Sequence, residues 1–231
     1  MGEHTARRRW RGVRANTPTA SFGGVWVRVA SSVPLETIYL IESQVDRERD
    51  LSAAGSLLGG AFARALARSD VLLFGLLVRA DGYAALAHSP SDRLPAFVRD
   101  VQSAVAQRLN AMEATRGPLW TSRVRWRSMR SQGELFSVLV DLLVEPVEDG
   151  QIDDPGDWPL PSSYSALVEG VVPRFVWPDA HGRAGAFAVS SPLVHTPLPI
   201  FADLPATRSR ARLDAAVHAR LAAALRWRRA G

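Results

Sequence analysis

The run Val71–Arg79, VLLFGLLVR, constrains this chain more than any other stretch. It carries no polar side chain before its last residue and has the length of one strand, so it fits a buried central strand. Asp81 and Gly82 supply turn residues, and the short apolar segment Tyr83–His88 returns alongside as the hairpin partner. A buried hairpin must be covered, and the flanking text supplies the cover.

Asp50-Leu51-Ser52 opens a helix reaching about Arg68, with Leu57, Leu58, Phe62 and Leu66 on one side. Leu94, Phe97, Val98, Val101, Val105, Leu109 and Met112 recur at helical spacing, which predicts an amphipathic helix over 94–114. Thr37–Ser43 is β-branched and aromatic enough to be a strand, Val124–Met129 predicts another, and Glu134–Val144 a further helix. The order strand, helix, strand, strand, helix, strand predicts an α+β fold, with helices on one face of an antiparallel sheet.

Four segments follow from this reading. Residues 1–34 form a basic arm, with Gly23–Ala30 a candidate edge strand. Residues 35–168 form the α+β domain. Residues 169–205 are Pro- and Gly-rich and read as an irregular wrap or linker. Residues 206–231 form a basic C-terminal helix with Leu213, Val217, Leu221 and Leu225 in one stripe, suited to packing or to a homodimer contact.

Charge points to a polyanion partner. The basic segments hold Arg7, Arg8, Arg9, Arg11 and Arg14, then Arg116, Arg123, Arg125, Arg127 and Arg130, then the arginines of 206–231. An acidic block runs from Glu134 through Asp141, Glu145 and Glu148 to Asp157 without a base. The chain has no cysteine and no lysine, which excludes thiol nucleophiles, Cys-held zinc, Schiff-base chemistry and the lysine of a phosphate loop. No apolar run reaches the roughly 18–20 residues of a membrane span, and no signal core follows the N-terminal arginines, so a cytoplasmic protein is expected.

The stretch Arg116–Tyr164 combines Gly117, Leu119, Trp120 and Arg123, a basic strand, a helix running into Pro146, Val147 and Gly150, and then Asp157, Trp158, Pro159, Ser162, Ser163 and Tyr164. In that order it resembles the C-terminal half of the REP-associated tyrosine transposases, bacterial-type single-strand DNA transposases of the HUH class. The resemblance covers roughly residues 35–168 and implies a ferredoxin-like core. It also implies single-stranded or hairpin DNA as ligand, a magnesium or manganese ion held by two histidines at i and i+2, and a tyrosine that attacks the scissile phosphate.

The implied reactive groups are missing. Gly82 and Ala84 stand where the metal-ligating histidines would be, and His4, His88, His181, His195 and His218 form no H-x-H pair. Val105 or Ala106 stands where the nucleophile would be, and Tyr39, Tyr83 and Tyr164 all lie off that helix. We therefore expect no catalytic residue, no metal ligand and no cofactor, only a transposase-like DNA-binding protein. The DNA contacts are expected from Arg123, Arg125, Arg127 and Arg130, with Trp120 stacking on bases. Two other readings fit the same text: an active nicking enzyme with a rearranged site, and a protein–protein module on the same scaffold.

Overall fold

The computed structural model describes residues 19–22, 25–28, 33–46, 49–120, 123–177 and 189–230. The arginines of the N-terminal arm lie outside them. In chain order the elements are β1 (Thr19–Phe22), β2 (Val25–Arg28), β3 (Ile38–Gln44), α1 (Gly55–Ala67), β4 (Leu72–Arg79), β5 (Gly82–His88) and α2 (Leu94–Met112). They continue with β6 (Arg125–Ser128), α3 (Gln132–Glu148), β7 (Arg174–Trp177), β8 (Val189–Pro192) and α4 (Ala206–Ala230). The expected edge strand near Gly23–Ala30 is β2, paired with β1 in its own two-stranded ribbon rather than on the main sheet.

The main sheet has the order β4-β5-β3-β6 and is antiparallel throughout. Taken along the chain, β3-α1-β4-β5-α2-β6 is the ferredoxin-like arrangement the sequence predicts. One part of the expectation changes. Both faces of the sheet are covered, not one. Ile41, Leu73, Leu76, Val78, Tyr83, Ala85 and Ala87 face one core, shared with Leu58 and Phe62 of α1 and with Val101 and Val105 of α2. Ile38, Leu40, Phe74, Leu77, Ala84 and Leu86 face the other, shared with Leu139 and Leu143 of α3 and with Leu213 and Val217 of α4. The long apolar runs of β4 and β5 follow from this double cover, because helices pack on both faces.

Local chemistry sets the helix limits. The Ser131 hydroxyl accepts the Glu134 N–H at 3.0 Å and starts α3. Pro146 is expected to mark the helix exit, yet α3 runs through it to Glu148. A proline lacks one donor but does not forbid a further turn where packing holds it, and Pro146 and Val147 are both buried. Gly150, at φ +74°, then turns the chain away.

The glycines of α1 explain the segment after residue 169. A Cβ on Gly59 would lie 2.8 Å from the Phe175 ring, so the bare backbone there lets β7 lie against the helix. Residues 169–205 are thus less irregular than expected: β7 and β8 form a ribbon that packs on α1. No helix among the described residues is long and apolar enough to cross a membrane.

Candidate nucleic-acid interface

The two edges of the main sheet differ. Beside β4, the Val78 N–H donates to Pro161 O at 2.9 Å and the Ser163 N–H to Leu76 O at 2.8 Å. The Thr196 N–H donates to Leu73 O at 2.6 Å, and the Trp158 indole N–H to Val78 O at 2.9 Å. The text Asp157–Tyr164, distinctive in sequence, therefore plays a mechanical part, occupying the backbone of an edge strand. Beside β6 no such cover exists among the described residues, and all four residues of that strand are exposed.

That open edge carries the basic strand. Arg125 and Arg127 stand in register with Glu42 and Leu40 and share the sheet face of α3 and α4. Trp126 stands opposite Ile41 on the other face, meets Tyr39 edge-on at 6.0 Å, and is 39% exposed. The Arg127 guanidinium is tied to Glu134 at 2.8 Å, and the backbone N–H of Arg130 donates to the other oxygen of the same carboxylate at 2.8 Å. Arg123 and Arg125 are exposed and close no ion pair among the described residues. The expected ladder of three arginines thus presents two free guanidinium groups.

Trp120 is placed differently from the expectation. Its indole N–H donates to Gln102 O at 3.0 Å and its ring meets Tyr83 edge-on at 5.7 Å, against the core beneath α2. An indole fixed at its polar end and packed on its faces is not free to stack on a base. Trp126 is the exposed aromatic of this strand.

The acidic block is largely spent inside the fold. Glu145 pairs with Arg79, whose guanidinium is held charged by Glu145 and Asp81 against the cost of its burial. Arg220 of α4 bridges Asp141 at 3.4 Å and Glu148 at 2.7 Å, and Arg228 reaches Asp153 at 3.3 Å. The basic C-terminal helix therefore lies on the acidic helix α3, with Leu213 and Val217 buried between them.

The positions expected to hold the reactive groups do not converge. Ala84 is buried on the α3 and α4 face, whereas Val105 is buried on the opposite face, beneath α2. A Cβ on Gly82 would collide with the Ser43 carbonyl oxygen on β3, so the backbone there admits only glycine without moving. His88 has its Nδ1 at 3.0 Å from Thr37 O, an arrangement that holds the ring as a donor to a carbonyl. These residues do not fit a divalent cation: Gly82 and Ala84 offer no side-chain ligand atom, and no group of His, Asp or Glu side chains among the described residues joins His88 to complete a site. The Tyr83 hydroxyl is pushed up from its ordinary pKa by burial although Gln102 donates to it, and the Tyr164 hydroxyl is pushed up by burial and by nearby Asp154, Glu169 and Asp214. Both shifts oppose a reactive phenolate.

One buried polar pair has no counterpart in the sequence expectations. Ser163 Oγ accepts the Leu76 N–H at 2.5 Å and lies 2.6 Å from His195 Nε2. Burial pushes the His195 pKa down to about 4, outweighing the Leu193 carbonyl nearby. The neutral ring shares a hydrogen bond with the serine hydroxyl at Nε2, which ties the loop after β8 to β4. Nothing in sequence pairs positions 32 residues apart.

A four-stranded antiparallel sheet of this order, with α1 and α2 on one face, is a ferredoxin-like fold. The solved structure of a REP-associated tyrosine transposase bound to a REP hairpin is similar to it, with a TM-score of 0.52 at 14% identity. The match covers 72% of this chain and 93% of that one. At that identity the likeness is one of fold. No protein-family model and no curated protein matches the chain.

Proposed function

We propose that this chain is a DNA-binding protein on a transposase scaffold that has lost strand cleavage by the metal and tyrosine route. Its ligand on this reading is single-stranded or hairpin DNA, engaged at the open β6 edge through Arg123 and Arg125, with Trp126 stacking on an unpaired base. The observation that carries the reading is the unequal pair of sheet edges: one covered by residues 158–163, the other exposed and basic, on a fold shared with a protein solved on a DNA hairpin. The Gly82 backbone, closed to any side chain, and the separation of Ala84 from Val105 support loss of cleavage.

A labelled DNA hairpin with a single-stranded tail, incubated with the protein and magnesium or manganese, tests both halves. Binding that weakens with salt and yields no covalent protein–DNA adduct is expected. An adduct would overturn the loss of cleavage, and no shift at low salt would overturn the DNA reading.

A further inference from the structure

The exposed side of the α1–α2 pair is grooved. The groove encloses about 1500 Å³ and runs from the C-terminal half of α1 along α2 to Trp177 of β7. Arg64, Arg68, Arg93 and Arg108 line it, against the carboxylates of Asp70 and Asp100. None of the four arginines closes an ion pair among the described residues, and Arg64 lies over the Trp177 ring at 5.6 Å. The Nε and Nη2 atoms of Arg108 are shielded from solvent and have no hydrogen-bond partner among the described residues. Those two atoms form one edge of the guanidinium, whose parallel N–H bonds match two oxygens of a phosphate. A charged donor pair left in that state is costly, and an anion would satisfy it once the side chain turns out into the groove.

We propose that this groove is a second DNA site, separate from the β6 edge, that holds the sugar–phosphate backbone of a single strand. The inference rests on the DNA-binding reading above and assigns the strand that leaves a hairpin to a different surface. Charge complementarity selects the occupant: four guanidinium groups face two carboxylates, one of which, Asp70, already accepts from the Ser89 hydroxyl at 3.3 Å. Length agrees with a strand and not with a lone anion. Arg93 and Arg108 are 15 residues apart by their numbers, about 22 Å along a helix axis, a span of several phosphates. Alanines such as Ala65 and Ala104 on the lining let a backbone approach closely.

Fluorescence anisotropy with two labelled DNAs, a blunt hairpin and the same hairpin with a six-nucleotide tail, tests this across a salt series. Replacing Arg64, Arg68, Arg93 and Arg108 together by alanine is expected to reduce the log affinity against log salt slope for the tailed DNA by about 2.8, at ~0.7 per single-strand phosphate. The blunt hairpin is expected to bind as before. Asp100→Asn, a conservative surface change that leaves the fold intact, is expected to tighten binding of the tailed DNA several-fold. Unchanged tailed-DNA affinity in Asp100→Asn, or an unchanged slope in a folded alanine variant, overturns the groove site. If Arg123→Ala with Arg125→Ala still weakens both DNAs in that case, the β6 reading survives alone. If the unmodified protein binds neither DNA, both readings fall.

Discussion

Acidification should loosen this fold through one residue, His195. Its ring is buried, hydrogen-bonded to Ser163, and held neutral with a pKa of about 4 against an ordinary 6.5. The unfolded chain therefore binds a proton there between those values while the folded chain does not, so stability falls as pH drops through that window. Well below pH 4 the loss corresponds to about 3 kcal/mol, and at pH 5 it is already about 2 kcal/mol. Against a typical total of ~5–15 kcal/mol this is a large share. Urea unfolding at pH 7.5, 6 and 5 measures it, with His195→Gln as the reference. The variant should be less stable at pH 7.5, because an amide fits the site imperfectly, but its stability should decline less steeply with acid. Carboxylates elsewhere titrate equally in both proteins, so the difference between the two slopes isolates the ring. Parallel decline in the two proteins would refute the buried neutral histidine.

Three further outcomes follow from the packing. Gly82→Ala drives a methyl group into the Ser43 carbonyl and should cost about 1–3 kcal/mol by the same urea assay, whereas Gly117→Ala, with open space around its Cβ but a positive φ, should cost about 1 kcal/mol from the backbone alone. In hairpin binding, Arg125→Ala should lower the salt slope by about 0.7–0.9, while Arg127→Ala, already neutralised by Glu134, should change it by less than half as much. Equal effects would mean that the Arg127–Glu134 pair opens on binding. Trp120→Ala should reduce stability by about 3 kcal/mol with little direct effect on DNA affinity, and Trp126→Ala should do the reverse, costing about 1–3 kcal/mol of binding if it stacks on a base. Thermal melts and anisotropy on the same samples separate the two.

The hairpin of β4 and β5 is legible in the sequence because an unbroken apolar run leaves no face for water, and α2 because its stripe is regular. Which side of the sheet each helix covers is not legible. Periodicity says that Leu139 and Val105 are both buried, but only the crossings of the chain put them on opposite faces. The ribbon of β7 and β8 escapes notice because four-residue strands carry little pattern, and its cue lies a hundred residues away in the paired glycines of α1. At the open edge, sequence reads the Arg125 segment as a strand but does not tell Trp120 from Trp126. Both are tryptophans beside arginines, and only the Gln102 carbonyl and the Tyr83 ring decide which is held in the core. The segregated charges mislead in one respect: Arg220 and Arg228 of the C-terminal helix pair with carboxylates of the acidic block.

The uneven edges of the sheet bear on how the chain survives in a crowded solution. An open edge strand is a template on which any extended peptide can add, and proteins guard such edges with charge. Arg123 and Arg125 stand where gatekeepers stand, so the groups proposed to hold DNA also repel a second copy of β6. Any lineage that discards DNA binding by losing these arginines would expose itself to fibre-like self-association.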